Sequence, residues 1–549
     1  MSKIRELLRQ GRYDEMWQMC CGFIDLSLEQ FMAIQYRLLM EQLGLLKKCK
    51  LGRKLMQGAM PETVEEFREE VPLTTYADYC PELLEKNESV LPAKPLFWQH
   101  TSGRSGEYPY KWVPVSERYY EEWSKACAAA AIFATCNGDR QVNIREGWKL
   151  LYALAPRPYT SGYVAQMTAE HLGIKFLPSL EESDAMTFEE RIREGFRQAL
   201  SQGMEGFSGL AGVLVAIGEQ FRTQSNKVNI LPLLRQPRAL FRLAKGIAKS
   251  KSAGRPLLPK DLWSLKAIVI GGTDSSIYKE KIKYLWGKYP LDAYAGSEVG
   301  TMAMQTWDYD TMTFVPTLNF LEFIPEKEYF KWQLDPTYQP KTVLLNEVKA
   351  GDKYEIVITN LHGGIFVRYR VGDMIRIASL QNKKLGIDIP QMVFESRADD
   401  LIDIAGFTRL TEKTIWHAIE NANIRYEDWT ARKEVGETPA LHIYLELKDD
   451  YAASESQVAA AIHEQLGKLD SDYAKLEAML SLKPLEVTLL RKGAFSNFVS
   501  QRRAEGADLA HLKPPHINPS DRILSSLGVG VEALPAVKTV AETEALATP

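Results

Sequence analysis

Residues 265–270, Leu-Lys-Ala-Ile-Val-Ile, form a short apolar run that stops at Gly271-Gly272. A run of that length, ended by glycines and rich in β-branched side chains, predicts a strand buried in a sheet. A helix opening at Asp274 or Ser275 is expected next, followed by another short strand, Pro-Leu-Asp-Ala-Tyr-Ala-Gly, at 290–296. Strand, turn, helix, strand is the rhythm of an α/β fold, in which ligands bind in loops at strand ends. At 549 residues the chain exceeds one ordinary core, so more than one folded unit is expected.

The texture changes along the chain in a way that divides it. Residues 1–90 read as helical, with Phe31, Ile34, Leu38 and Leu39 recurring three and four apart. Leu96-Phe97-Trp98 is then a short strand, and Ser116 is placed to cap a long alanine-rich helix. The run 207–218, FSGLAGVLVAIG, is too short to cross a bilayer, which takes ~20 residues, and is expected to be a core helix or strand. From about 314 to 380 the pattern is strand-rich: 343–348 and 354–359 flank a turn, and Phe-Val-Arg-Tyr-Arg-Val-Gly-Asp-Met-Ile-Arg-Ile reads as two strands joined at Val371-Gly372-Asp373. The expected division is a large N-terminal domain over 1–395, a small α+β domain over 396–527, and an aperiodic, disordered tail over 528–549.

Bulk composition narrows the function. A formal net charge of −4 in a chain that is 25% charged gives no general reason to expect nucleic acid. The six cysteines, Cys20, Cys21, Cys49, Cys80, Cys127 and Cys136, contain no C-x-x-C pair and fit reduced thiols in a cytoplasmic protein without a signal peptide. The histidines show no metal-ligand spacing, and no Ser-His-Asp order accompanies a G-x-S-x-G elbow. One local departure stands out: from Gln220 to Lys260 there is no acidic residue, while Arg235, Arg238, Arg242, Lys245, Lys249, Lys251 and Arg255 accumulate. This segment reads either as the solvated face of an amphipathic helix, opposite Leu233, Leu240, Phe241, Leu243 and Ile247, or as a weak contact surface for an acidic partner or membrane.

Four stretches could carry chemistry. Thr101-Ser102-Gly103-Arg104-Ser105-Gly106 follows a strand and supplies glycines, hydroxyls and N–H donors, which can wrap a phosphate chain or simply make a turn. It is not a Walker loop, because no G-K-[ST] follows. Tyr294-Ala295-Gly296-Ser297-Glu298 lies past a strand end, where an aromatic ring could stack on a purine and a carboxylate could hold Mg²⁺. Asp373 could accept both hydroxyls of a ribose, or serve only as a turn residue. Glu395-Ser396-Arg397-Ala398-Asp399-Asp400 is either a solvated linker or a hinge whose arginine meets a nucleotide. His100, beside the first loop, is either a further site residue or a hydrogen-bonded structural histidine.

Taken in order, strand plus T-S-G-x-S-G, Y-x-G-S-E, Y-R-x-G-D and an R-x-D-D hinge resemble the adenylate-forming superfamily of acyl-CoA synthetases and adenylation domains. The chain more closely resembles the Gretchen Hagen three acyl-acid amido synthetases, known from auxin and jasmonate conjugation. FREEVPLTTYADYCPEL at 67–83, FVPTLNFLEFIP at 314–325, GDKYEIVITNLHGGIFVRYRVGD at 351–373, Leu410-Thr411-Glu412, Gly493-Ala494-Phe495 and Leu512-Lys513-Pro514-Pro515 carry that resemblance over roughly residues 65–516. It implies an ATP- and Mg²⁺-dependent ligase that adenylates a small carboxylic acid and passes the acyl group to an amine such as an amino acid. An acyl-CoA ligase using a thiol acceptor, and a degenerate nucleotide-binding protein, are the alternatives.

The resemblance also implies roles. Thr101, Ser102, Gly103, Arg104 and Ser105 would hold ATP phosphates, and Gly272, Thr273, Tyr294, Gly296 and Ser297 would line the adenine pocket. Glu298 would bind Mg²⁺, Asp373 with Arg397 would take the ribose, and Lys513 would neutralise charge on the α-phosphate. Arg104 stands where a Thr or Ser is usual, and Tyr110-Lys111 where a Pro-Lys pair is common, so Arg104 and Lys111 compete for the phosphate role.

Overall fold

The computed structural model describes residues 2–101, 110–138, 140–224, 237–271, 278–335, 337–397, 401–404, 408–435, 439–470, 473–474, 485–504 and 514–529. The chain separates into two compact units, Met1–Ala398 and Asp399–Pro549.

The first unit opens with helices Lys3–Gln10, Tyr13–Cys21 and Leu28–Leu46, as the apolar spacing predicts. The third is started by a capping box between Ser27 and Gln30 and buries Phe31, Leu38, Leu39, Leu43 and Leu46. Two glutamines share that buried face, two turns apart. Gln35 donates to Asn319 O at 2.7 Å and accepts from Leu321 N at 2.9 Å, and Gln42 bonds Gly364 O and Gly363 N at 2.7 and 2.8 Å. The helical N-terminus is thereby joined to backbone that lies some three hundred residues later in the chain.

The strands of this unit are β1 (Pro95–His100), β2 (Trp112–Ser116), β3 (Lys149–Ala153), β4 (Lys175–Leu177), β5 (Gly206–Leu210), β6 (Ala267–Gly271), β7 (Leu291–Gly296), β8 (Gly300–Gln305), β9 (Met312–Phe314), β10 (Asn319–Pro325), β11 (Lys353–Asn360), β12 (Tyr369–Ser379) and β13 (Gln391–Arg397). Among the described residues, eleven of them form one sheet in the order β10-β11-β12-β13-β9-β8-β7-β6-β5-β3-β4. From β4 to β7 every pairing is parallel, and from β7 to β10 every pairing is antiparallel. The mixed α/β architecture expected from the sequence is present, and its barrel-like part takes the form of the antiparallel half of this sheet. The apolar run at 207–218 is strand and helix in one, since β5 passes directly into the helix Ala211–Gln224. Ser116 caps the helix Glu117–Thr135 by accepting from Tyr119 N.

Three local expectations are corrected. Residues 343–348 are not a strand; only Val343 pairs, as an isolated bridge to Phe323. Val371-Gly372-Asp373 does not join two strands but lies within the single strand β12. Opposite it, Glu355 pairs with Met374 and Val357 with Arg370, so three residues of β12 loop out against one of β11. Gly372 at φ +76° supplies the backbone conformation this bulge requires. Finally, Phe241 is not on the buried face of the basic helix, which runs Pro237–Ser252 and packs through Ala239, Leu243, Gly246 and Ser250. At 100° per residue, a side chain two positions from both Ala239 and Leu243 points the opposite way. Leu233 and Arg235 lie outside the described residues.

A buried ion pair anchors the antiparallel half. Arg368, 6% exposed, meets the fully buried Glu322 through Nη2–Oε1 at 2.8 Å and Nε–Oε2 at 3.1 Å. Its remaining nitrogen donates to the carbonyls of Arg68 and Val71 at 2.6 and 2.5 Å. The 67–79 segment is thus tied to β12, and Thr74 exchanges backbone bonds with Arg368 and Arg370.

The second unit contains β14 (Leu401–Ile404) paired with β15 (Thr408–Thr411), and β16 (Tyr426–Val435), β17 (Pro439–Leu447) and β18 (Leu485–Leu489) in a second sheet. Helices Glu412–Asn421 and Glu455–Leu469 pack on it, giving a core of its own around Trp429, Leu441, Ile443 and Ile462. Its C-terminal segment is fixed through His516, whose ring stacks on Trp429 at 4.6 Å while Nδ1 meets Glu412 at 2.6 Å and Nε2 meets Asp428 at 2.9 Å. The two carboxylates outweigh burial and raise the imidazole to about 9. Alongside, Ala431 N donates to His516 O and Asn518 N to Ala431 O.

Two predictions follow from these charged contacts. Arg368→Met should cost about 3–5 kcal/mol by leaving Glu322 buried without its cation, and adding Glu322→Leu should recover much of it in denaturant unfolding. His516 is raised above its ordinary 6.5, so its contribution is complete below that pH and declines as pH climbs towards 9. Hydrogen exchange at Ala431 and Asn518 should therefore be faster in His516→Ala than in wild type at pH 6, with the gap closing above pH ~9.

Candidate active site

The last parallel strand of the sheet is β7, and its C-terminal end is where parallel pairing gives way to antiparallel. Such a change of strand direction opens a crevice beyond the strand end. Here β7 turns into β8 through three residues, Ser297-Glu298-Val299, with Gly296 opposite Gly300. Gly300 closes the turn at φ +63°, and a Cβ there would meet the Tyr119 hydroxyl at 2.8 Å. Glycine is required by both backbone and space.

All three carbonyls of this turn accept a side-chain amide. Gln99 Nε2 donates to Ser297 O at 3.0 Å, Asn360 Nδ2 to Glu298 O at 2.8 Å, and Asn319 Nδ2 to Val299 O at 2.7 Å. Gln99 and Asn319 are fully buried and Asn360 nearly so. Asn360 also donates to Asn319 Oδ1 at 2.8 Å and accepts from Phe366 N at 3.2 Å, joining the turn to the 360–366 loop. Thr160 hydrogen-bonds the Ser297 hydroxyl. The turn is therefore rigid, and the half-buried Glu298 carboxylate at its tip has no ion pair among the described residues.

Tyr294, on β7, reaches across to the bulge of β12, where its hydroxyl donates to Asp373 Oδ2 at 2.5 Å. Its ring lies near-parallel to Phe394 of β13, with centroids 6.3 Å apart. Cross-strand pairing sets Arg397 of β13 directly opposite Asp373. The hydroxyl of the buried Tyr369 is pushed well above its ordinary range first by burial and then by the charges of Glu298, Tyr79, Tyr76 and Asp373. Glu298 and Asp373, 75 residues apart in sequence, thus act on one buried hydroxyl.

The glycine-serine loop connects β1 to β2 as a hairpin. Pairing runs to His100↔Trp112, and Thr101 N donates to Lys111 O at 3.1 Å. Because Gln99 is two residues before Thr101, the base of this hairpin is bonded directly to the Ser297 carbonyl. Lys111 lies 5.5 Å from the Tyr76 ring, and the Tyr76 hydroxyl exchanges bonds with the Trp112 backbone. His100 is buried among Tyr110, Trp112 and Tyr159 at 4.3–4.8 Å, and burial lowers its pKa. It is a structural histidine at the loop base.

The structure bonds Tyr294 to Asp373, places Gly296, Ser297 and Glu298 at the turn that follows Tyr294, ties the strand leading to Thr101 to that turn through Gln99, and pairs the Arg397 backbone opposite Asp373. Ser102, Gly103, Arg104, Ser105, Gly272, Thr273 and Lys513 lie outside the described residues. Sequence reasoning missed Gln99, Thr160, Asn319 and Asn360, since a lone amide or hydroxyl carries no periodic or motif signal. No group of three or more His, Cys, Asp or Glu side chains forms a metal cage among the described residues. A single acidic ligand nevertheless suits Mg²⁺, which usually keeps several waters and binds substrate phosphates.

Profiles of three domains match in succession: the GH3 family N-terminal domain over residues 20–182, the central domain over 312–397 and the C-terminal domain over 410–522. A jasmonoyl–L-amino acid synthetase, GH3.5 of Oryza sativa subsp. japonica, is 28% identical over 282 residues, covering 47% of each chain. An indole-3-acetic acid-amido synthetase, GH3.3 of Arabidopsis thaliana, is 28% identical over 47% of this chain and 45% of its own. The chain thus aligns with about half the length of these curated relatives. In three dimensions, the GH3.15 acyl acid amido synthetase in complex with 2,4-DB superposes with a TM-score of 0.65 at 17% identity, over 94% of this chain and 95% of that one. A 2-hydroxyisobutyryl-CoA ligase in its postadenylation state gives 0.59 at 14% identity, over 92% of each. Both share the fold. With three domain profiles of one family matching in order along most of its length, this chain belongs to the GH3 family.

Proposed function

We propose that the protein is an ATP-dependent acyl-acid amido synthetase, which adenylates a carboxylic acid and passes the acyl group to an amine such as an amino acid. The observation that carries this reading is the Tyr294–Asp373 contact beside the rigid turn bearing Glu298. Asp373 already accepts one hydroxyl at hydrogen-bond distance, the interaction it would make with a ribose. Tyr294, backed by Phe394, offers a ring face for adenine. Glu298 is a partly desolvated carboxylate with no cation of its own among the described residues, which suits a metal riding on the triphosphate. When bound, Mg²⁺ would neutralise phosphate charge as the carboxylate attacks the α-phosphorus. The chain's own part is positioning: the β1–β2 loop and the turn at 297–299 are bonded through Gln99, so the two share one frame.

Lys513 is assigned the neutralisation of charge on the α-phosphate during adenylate formation by its place in the Leu-Lys-Pro-Pro motif. The relatives' names point to amino acids as acceptors for those proteins, and an amine acceptor is proposed here on that basis. None of the six cysteines, all among the described residues, forms a disulfide, and five of them are buried, which fits a reducing, cytoplasmic setting.

Pyrophosphate release measured over a panel of acids, with amino acids or coenzyme A as acceptor, tests this reading. Turnover should depend on an amino acid; turnover completed only by coenzyme A would replace the amide with a thioester, and none with any acid would remove the ligase assignment. Glu298→Gln and Lys513→Ala should each lower pyrophosphate release by roughly 10²–10³ while leaving ATP binding largely intact. Asn360→Ala, which touches no substrate, should lower kcat about 10-fold or more by freeing the Glu298 carbonyl, with a smaller effect on the KM for the acid. An unchanged kcat would show that the turn holds its shape without that amide.

A further inference from the structure

The basic helix Pro237–Ser252 has no part in the crevice at β7, yet it presents an unusual surface. Its inward stripe, Ala239, Leu243, Gly246 and Ser250, is buried, and Gly246 lies so close to Leu262 that a Cβ would approach it to 2.6 Å. The outward stripe at helical spacing is Arg238, Phe241, Lys245 and Lys249. Phe241 is 73% exposed, the most exposed large apolar side chain among the described residues. Two cations of this segment have structural duties: Arg242 donates to Ala199 O at 3.2 Å at the end of the helix Phe188–Gln202, and Arg255 pairs with Asp261 at 2.7 Å. Arg238, Lys245, Lys249 and Lys251 have no ion pair among the described residues, and no acidic residue occurs from Gln220 to Lys260. Phe241 itself lines an open cleft of about 520 Å³ together with Ser201, Gln202, Arg238, Arg242 and Lys245.

We infer that this helix face docks the protein peripherally on an anionic phospholipid surface, with Phe241 entering the headgroup layer and the flanking cations holding lipid phosphates. Charge complementarity selects the occupant. A helix face with one protruding phenyl ring between long cationic side chains suits an interface in which apolar tip and charged heads sit at different depths. A protein partner fits less well, because protein interface cores are depleted in charge, and three of the four residues of this stripe are cations without a matching acidic residue nearby in the segment. A cleft with three cations accommodates a phosphate headgroup, and the five Lys and Arg of this one amphipathic helix, three of them on the outward stripe, are the kind of cluster that anionic lipids attract. A single inserted ring makes the attachment weak and reversible, so it depends on salt.

Full-length protein is spun with phosphatidylcholine vesicles and with vesicles also containing phosphatidylglycerol. Sedimentation with the anionic vesicles alone, at low salt and not at high salt, is expected. Phe241→Ser should reduce the bound fraction several-fold, and the triple reversal Arg238→Glu, Lys245→Glu, Lys249→Glu should abolish it. Both variants should keep their thermal unfolding and their pyrophosphate release in solution, because none of the four residues belongs to the nucleotide site. Wild-type protein left in the supernatant with anionic vesicles overturns the inference, as does equal sedimentation with neutral vesicles or of the triple variant. Retention on poly-glutamate or DNA in place of vesicles would move the site to another class of partner. The vesicle readout does not depend on catalysis, so a failed ligase assignment and a failed docking surface are told apart.

Discussion

Three consecutive peptide carbonyls, at residues 297–299, end in three side-chain amides that come from positions 99, 319 and 360. A tight turn cannot satisfy its own outward carbonyls, and leaving one buried without a donor costs about 1–3 kcal/mol. Water is the usual solution for a loop. Using buried amides instead excludes it and fixes the turn against β1, β10 and β11 together. Asn360 bonds both Glu298 O and Asn319, so the donors are themselves coupled. A carboxylate on such a turn loses little conformational freedom when a metal and a triphosphate meet it, which is the physical content of preorganisation.

The amides can perform this role only if their strands are held in register, and charge does that. Arg368 and Glu322 form a bidentate pair across the antiparallel half of the sheet, and the rest of the guanidinium is spent on the carbonyls of Arg68 and Val71. Arg370 repeats the arrangement one turn of the pleat away, pairing with Glu355 at 2.7 Å and lying 3.8 Å over Trp332. Between these anchored positions and Met374, β12 bulges and delivers Asp373 to Tyr294. Arg368 just before β12 and Arg370 on it thus secure the strand that carries the aspartate that would bind the ligand.

Much of this was legible in the sequence, and the rest failed for definable reasons. The buried strand at 265–270, the capped helix after Ser116 and the strand before the glycine-serine loop follow from apolar period and capping chemistry. Tyr294, Glu298 and Asp373 stand out in the sequence because motifs keep their order along a chain, and the Tyr294–Asp373 contact joins two of these motifs. The bulge was not, because Val-Gly-Asp between apolar alternations looks the same in a hairpin turn and in a looped-out strand. Only the register against Glu355 and Val357 distinguishes them. Phe241 was assigned to the core by hydrophobicity alone, although its angle from Ala239 and Leu243 put it outside. Gln99, Asn319 and Asn360 left no trace, since a polar side chain inside a strand reads as a solvent-facing position until its partner is known.

The 67–83 and 351–373 stretches, which carry the family resemblance most densely, prove to be each other's partners. Thr74 N donates to Arg368 O, Arg370 N to Thr74 O, and Val367 N to the Tyr79 hydroxyl at 2.8 Å. Tyr76, in the same stretch, bonds Trp112 at the base of the glycine-serine hairpin. One irregular segment near the N-terminus therefore touches both the strand that bears Asp373 and the loop assigned to phosphate. Its Val-Pro-Leu-Thr-Thr-Tyr residues carry no charge, so what they contribute to these two elements is position. A change there would be felt at Asp373 and at Thr101 together, whereas a change at Tyr294 would be felt at Asp373 and Phe394.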